Sequence, residues 1–179
     1  MAKKFPPFGF NIQRILDCGF QIEEMINPNV DDTLIKYAMG FHFNVEENYV
    51  QFNVRADFVK GQTEIFATGT VLTKFGILNL KAFADENGGV TWPKDSLETM
   101  FGIAFSHMRA IVAKNFAGTR FSSYVVPLVN PALIFEQLIK QDPNLDGNEP
   151  APNDKVSKQE LRYKINETGR IIDTEKDNQ

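Results

Sequence analysis

Two neighbouring segments with a strict alternation of large apolar residues restrict this chain to a fold built around an antiparallel sheet. Alternate side chains of a β-strand point to opposite faces, so each segment predicts a strand with one buried face. The link Glu46-Glu47-Asn48 is short enough for a hairpin, which makes the two strands antiparallel neighbours. The apolar positions are Tyr37, Met39, Phe41, Phe43 and Val45 in the first segment and Val50, Phe52, Val54, Ala56 and Phe58 in the second.

Three further segments complete a predicted four-stranded antiparallel sheet. Residues 63–74 are rich in Thr and Phe and contain Gly69, which permits a bulge or the close approach of another chain. Residues 10–16 and 20–25 are predicted as shorter strands on either side of Asp17-Cys18-Gly19. The second of them either extends the first after a kink or pairs locally.

Two helices are predicted after the strands. Asp95 and Glu98 have the spacing of a capping box, and apolar residues then recur every three or four positions until Gly118, the predicted end. After an extended segment at 121–128, Asn130-Pro131 predicts the start of a short helix that runs to Lys140. The predicted fold class is therefore α+β, with a four-stranded antiparallel sheet packed by a long helix and a shorter C-terminal helix.

The composition changes at residue 141, which divides the chain into a predicted domain at 1–140 and a tail at 141–179. The tail holds nine acidic and six basic residues, and its first part is rich in Pro, Gly, Asn and Asp. Such a segment buries too little apolar surface to offset its ordering entropy, so a flexible acidic linker is expected. Residues 161–172 could form a small hairpin, which must dock on something or stay disordered because an isolated hairpin is marginal.

Bulk properties argue against several partners. The net charge is −4 and the sequence pI is about 5.2, without a cluster of Lys and Arg that could neutralise phosphates, so no nucleic-acid partner is expected. Charges or glycines interrupt every apolar run, and no signal-peptide core is visible, which predicts a cytoplasmic protein without membrane insertion. The single cysteine, Cys18, cannot form an internal disulfide.

The sequence also lacks recognisable catalytic equipment. There is no phosphate-binding glycine motif and no nucleophile elbow beside either histidine, His42 or His107. Acidic residues occur as adjacent pairs in predicted turns, without a third ligand at a fixed spacing. The chain is therefore predicted not to be an enzyme, with no catalytic residue, no metal and no cofactor.

Phenylalanine is unusually common, with 16 residues in 179. A core rich in Phe is the simplest interpretation for each of them singly. A core of this size has limited volume, however, so some aromatic surface is expected to be covered by subunit contacts or to line grooves. Either outcome favours a binding protein.

Two stretches carry a resemblance to a known family. Phe10-Asn-Ile-Gln-Arg-Ile15 resembles the first strand of the SecB family of protein-export chaperones. Residues 100–137 resemble that family's long helix, the strand after it and its apolar-Pro-x-x-Asn turn into the final helix. The resemblance covers about residues 8–140. It implies an ATP-independent holdase that assembles as a homotetramer, a dimer of dimers, and binds unfolded polypeptides in apolar grooves for delivery to the SecA motor.

The resemblance also suggests site residues. Residues 78–92 are predicted to form a crossing loop from the sheet to the long helix. The hypothetical peptide-binding groove is drawn from this crossing loop, the neighbouring strand end and the long helix: Phe75, Leu78, Leu80, Phe83, Trp92, Phe101 and Phe105. For SecA, Glu23 matches one acid of the family's first strand region. The other first-strand acid is replaced by Gly19, and an apolar-x-acid pair on the third strand falls at about Ala67 and Gly69.

These departures leave alternatives to export. The chain could be a SecB-like chaperone dedicated to one partner, such as an antitoxin. It could also be a non-enzymatic oligomeric scaffold whose aromatic residues are fully buried.

Overall fold

The protein is described by a computed structural model covering residues 7–28, 32–84, 90–93, 95–141, 159–165 and 171–172, with only the backbone described beyond residue 136. It confirms the predicted α+β class. The elements in chain order are β1 (Phe10–Ile22), β2 (Thr33–Asn44), β3 (Tyr49–Lys60), β4 (Glu64–Ile77), a short 3-10 helix (Leu80–Phe83), α1 (Ser96–Phe116), α2 (Pro131–Gln141), β5 (Gln159–Ile165) and β6 (Ile171–Ile172).

All strand pairs of the sheet are antiparallel, and its order is β1-β4-β3-β2-β5-β6. The hairpin predicted from the two alternating segments is confirmed, since β2 and β3 pair without a register shift from Thr33 opposite Lys60 to Asn44 opposite Tyr49. The four predicted strands form one continuous sheet. Two strands from the tail, β5 and β6, extend it beyond β2, and they overlap the region 161–172 that was predicted to form a hairpin.

The first strand is continuous and irregular. Its register against β4 shifts between Asp17 and Gly19, where Gly19 has φ 144° and its N–H is 3.2 Å from Oδ1 of Asp17. A residue with a side chain rarely adopts that backbone angle, so glycine lets the strand kink without losing its partner. The predicted extension of the first strand beyond a kink is confirmed.

Helix α1 packs closely on the sheet at Gly69. A Cβ atom at this position would lie 2.5 Å from Cγ2 of Val112, so only glycine fits beneath the helix. The close approach that Gly69 permits is made by α1 of the same chain and not by another chain. The core between α1 and the sheet contains seven phenylalanines with almost no exposed surface: Phe52, Phe58, Phe66, Phe75, Phe101, Phe105 and Phe116.

Two local predictions differ from the structure. Asp95 has φ 63° and its side chain makes no capping hydrogen bond; the hydroxyl of Thr99 donates instead to the Asp95 carbonyl, at 2.8 Å. The segment 121–128 forms no strand, because its first residues turn back on themselves and bring Phe121 and Tyr124 against the ring of Phe66.

The start of the second helix agrees with the sequence. Oδ1 of Asn130 accepts a hydrogen bond from the N–H of Ala132 at 3.1 Å, and Pro131 is the first residue of α2. Proline lacks the N–H that a first helical turn leaves unpaired, which explains its position.

Candidate polypeptide-binding surface

A row of aromatic rings crosses the sheet from β1 to β2. Phe10 contacts Phe75 with ring centroids 5.6 Å apart, and Phe75 contacts Phe52 at 6.0 Å. Phe52 contacts Phe41 at 5.2 Å, and Phe41 contacts Trp92 at 6.1 Å. The two rings in the middle of the row are fully buried, whereas those at both ends are half-buried. The row therefore reaches the surface on β1 and on β2.

The β2 end of the row is a cluster of three accessible aromatic side chains, Phe41, Phe43 and Trp92, which we call the β2 aromatic cluster. Phe43 lies 5.8 Å from Phe41 and 5.9 Å from Trp92, so each ring contacts the other two. Such contacts add about 0.5–1.5 kcal/mol per pair beyond area burial. Three half-buried rings held in fixed positions form a preformed apolar surface.

The backbone beside this cluster is open to an additional strand. On its outer side, β2 pairs with β5 only at residues 34–39. Residues 40–44, which carry Phe41 and Phe43, pair with β3 on one side and leave the outer side of the strand unpaired within the described chain. Free backbone N–H and C=O groups next to apolar side chains are the features that recruit an extended peptide by strand addition.

A second accessible apolar region lies at the start of β1. Leu78 is 63% exposed, and its backbone N–H donates to the carbonyl of Gly9 at 2.7 Å. Ile12 and Ile15 are 46% and 42% exposed on β1, which is an edge strand of the sheet. Phe8, which is half-buried, packs edge to face on Phe83 at 5.6 Å. We call Ile12, Ile15 and Leu78 the β1 apolar edge.

The predicted groove residues are divided between the surface and the core. Leu78 is exposed and Trp92 is half-buried. The other five have at most 3% of their surface exposed: Phe75, Leu80, Phe83, Phe101 and Phe105. These five can contact a bound polypeptide only if α1 or the crossing loop moves, so their role in a groove stays a prediction.

The long helix shows why such residues are covered. Phe101 lies 6.1 Å from Phe52, and Phe105 lies 5.2 Å from Tyr37, so both rings of α1 face the sheet.

Sequence reasoning missed Phe41 and Phe43 as surface residues. Both have the same parity as the buried residues Tyr37 and Met39 of the same strand, and were therefore assigned to the core. The signal available in the sequence was the position of these two residues at the end of an apolar strand face, where coverage by the helix is least assured.

His107 and Asp57 make hydrogen bonds to side chains of the sheet. Nδ1 of His107 lies 3.1 Å from the hydroxyl of Thr73, and burial lowers the pKa of this histidine. Thr73 has no exposed surface, whereas His107 is partly exposed. Asp57 is also buried, and its Oδ1 accepts hydrogen bonds from Nε of Arg55 at 2.8 Å and from the hydroxyl of Thr68 at 2.6 Å.

The described residues contain neither a cluster of metal ligands nor a membrane-spanning helix. Among the described residues, no three His, Cys, Asp or Glu side chains group closely enough to hold a metal ion. None of the described helices has the length and apolarity required to cross a membrane.

The residues suggested for SecA binding occupy different environments. Glu23 is exposed just after β1, and its Oε1 accepts a hydrogen bond from the N–H of Met25 at 3.2 Å. Gly19 is exposed at the kink, while Gly69 is buried beneath Val112. Ala67 and Gly69 lie in β4, where both are buried. An acidic side chain at residue 69 would displace α1.

This chain has weak structural similarity to a known protein and no match among sequences. No protein-family model and no curated protein sequence matches this chain. Among solved structures, the chain is similar to a SecB-like chaperone of Mycobacterium tuberculosis in complex with a peptide from an antitoxin. The alignment has a TM-score of 0.44 and 11% sequence identity, and it covers 67% of this chain and 90% of the other.

Proposed function

We propose that this chain is an ATP-independent chaperone, a holdase that binds unfolded or extended segments of other polypeptides. The observation that carries the proposal is the β2 aromatic cluster beside the unpaired backbone of residues 40–44. The cluster offers apolar contacts to side chains of a client, and the strand edge offers hydrogen bonds to its backbone. The resemblance of residues 10–15 and 100–137 to the SecB family supports the same function.

The energetics favour a client that contacts several places on the surface. Burying one Leu or Phe side chain contributes about 1.5–3 kcal/mol, whereas association and chain ordering cost several kcal/mol. One aromatic cluster therefore holds a client weakly. A segment that also pairs with the free backbone of residues 40–44 gains from effective concentration, and backbone pairing makes little demand on its sequence.

Aggregation of a chemically denatured enzyme, diluted into buffer without ATP, tests the function. The wild-type chain is expected to suppress light scattering at a stoichiometric ratio. The double variant Phe43→Ser and Trp92→Ser should lose most of this effect. A control variant, Met25→Ser with Leu128→Ser, removes two exposed apolar side chains outside the cluster and should retain it.

Thermal unfolding and solution mass distinguish a lost surface from a lost fold. If the wild-type chain does not suppress aggregation, the proposed function is wrong. If the cluster variant keeps its thermal midpoint and its mass and also suppresses aggregation as well as wild type, the cluster is not the binding surface.

Two roles are proposed for the bound clients: delivery to SecA, or protection of one dedicated partner. Delivery to SecA is the role implied by the family, with Glu23 as the proposed contact. The glycines at residues 19 and 69 favour a chaperone dedicated to one partner, such as an antitoxin, because neither position carries an acid. Co-precipitation with SecA at low salt tests delivery, and a Glu23→Gln variant should weaken any signal that depends on this carboxylate.

Assembly is proposed to be homo-oligomeric, as a dimer of dimers. Its support is the β1 apolar edge, since a long edge strand with exposed isoleucines is prone to pair with another chain. Mass measurement in solution tests it. A scaffold with fully buried aromatic residues is the competing function, and a fluorescent dye that binds apolar surfaces should bind the native holdase and not a sealed scaffold.

A further inference from the structure

The tail of the chain occupies part of the edge that a client would use. Strand β5 lies antiparallel to β2 with six residue pairs in unbroken register, from Leu34 opposite Lys164 to Met39 opposite Gln159. On its far side β5 pairs with β6 at only two positions. Among the described tail residues, the pairing with β2 is therefore the longest backbone contact.

The sequence of β5 has the pattern that suits an added strand. Apolar residues alternate with charged ones through Gln159–Ile165. In the register with β2, Leu161 stands opposite Tyr37, and Tyr163 stands opposite Ile35. Tyr37 and Ile35 are buried residues of the apolar parity of β2. The apolar positions of the tail thus continue the apolar parity of the strand beside it, as those of an extended client would.

The connection between α2 and β5 tethers β5 to the rest of the chain, and it is long enough to leave the position of β5 unconstrained. Residues 142–158 separate the two elements, and at ~3.3–3.6 Å per residue such a segment can span about 60 Å when extended. A tether of this kind converts strand pairing into an intramolecular event, with an effective concentration on the order of millimolar. Even weak pairing then leaves the edge largely occupied.

The occupied edge adjoins the proposed binding surface. The register of β5 ends at Met39, and the β2 aromatic cluster begins two residues later, at Phe41. A client that docks on the cluster and continues along β2 meets β5, because one side of a strand accepts only one partner.

We propose that residues 159–165 are a tethered competitor, a built-in strand that an extended client with alternating apolar residues must displace from residues 34–39 of β2. The inference rests on the proposed function and adds a means of regulation to the same surface. Clients that pair weakly are excluded, and clients that pair better than the tail are retained.

The test uses the full-length chain with two adjacent prolines in β5, Leu161→Pro and Arg162→Pro. Proline removes a backbone donor, and successive N–H groups of a strand point to opposite sides, so one of the two prolines must remove a donor directed at β2. The control, Lys176→Pro with Asn178→Pro, also removes one positive charge and lies after β6. Two fluorescent probes are titrated: a synthetic peptide of residues 159–172 and carboxymethylated α-lactalbumin, which stays unfolded.

We expect the β5 variant to bind both probes about three- to tenfold more tightly than wild type and the control, because a site that is competent for only 10–30% of the time loses affinity by that factor. Unchanged affinity for both probes, or tighter binding of the tail peptide alone, overturns the competition. If α-lactalbumin is not bound by any of the chains while the tail peptide is, the proposed holdase function fails and the competition fails with it. If α-lactalbumin binds equally to all three chains, the holdase stands without a competing tail.

Discussion

Gly69 offers a quantitative test of the contact between α1 and the sheet. In Gly69→Ala, the added Cβ would lie 2.5 Å from Cγ2 of Val112, far inside van der Waals contact. Overpacking of this kind costs about 1–3 kcal/mol, and the lower entropy of the unfolded chain returns about 0.4–1 kcal/mol. The net loss of about 1–2 kcal/mol should lower the thermal midpoint by roughly 2–8 °C in a chain of this size, as measured by circular dichroism.

The assignment to one contact is tested by a double-mutant cycle with Val112→Ala. Alone, this change removes two buried methyl groups and should cost about 1.5–3 kcal/mol. Combined with Gly69→Ala, it also removes the clash, so the double variant should be at least ~1 kcal/mol more stable than the sum of the single effects. Strict additivity, or a Gly69→Ala variant as stable as wild type, would refute the packing described.

Gly102 provides a matched control for the same chemical change. It lies within α1, and a Cβ there would be 3.6 Å from Cβ of Pro131, an ordinary contact. Gly102→Ala should therefore stabilise the chain by about 0.5–1 kcal/mol through helix propensity. Opposite signs at the two glycines would separate steric crowding from the general effect of adding a methyl group.

Three further predictions concern the binding surface and the interior. Trp92 is the only tryptophan and contacts Phe41, so client binding should shift its emission to shorter wavelength; an unchanged spectrum at saturation would place the client elsewhere. Thr68→Val removes one of the hydrogen bonds to buried Asp57 and should cost about 1–3 kcal/mol, seen as a lower urea midpoint at constant m-value. Burial lowers the pKa of His107 below 6.5, so the unfolded chain binds the proton more readily; stability should be full above pH 6.5 and fall as the pH drops below it, and His107→Gln should remove this part of the pH dependence.

The sequence predicted the sheet well because its signal is local. Alternation across 37–45 and 50–58, joined by a short turn, leaves few arrangements other than a hairpin, and the structure has that hairpin in unbroken register. Asn130-Pro131 likewise determines a helix start through the chemistry of its own backbone and side chain. The capping box at Asp95 failed although its spacing was right, because the backbone there adopts a left-handed conformation that directs the side chain away from the first turn.

The candidate site was predicted less completely, since exposure depends on what covers a residue. Trp92 and Leu78 are accessible, while Phe101 and Phe105 are hidden against the sheet. Sequence periodicity assigns all of these to apolar faces, and it does not distinguish a face that is covered from one that ends at the surface.

The sequence by itself determined the first four strands, the two helices, their order and the parity of β2 and β3, because these follow from side-chain periodicity and turn chemistry within a few residues. Only the tertiary structure decided that Phe41 and Phe43 remain accessible while Tyr37 and Met39, of the same parity, are buried. It also decided that β5 lies on the edge of β2. Both outcomes depend on contacts between residues far apart in the chain, whose partners no local pattern specifies.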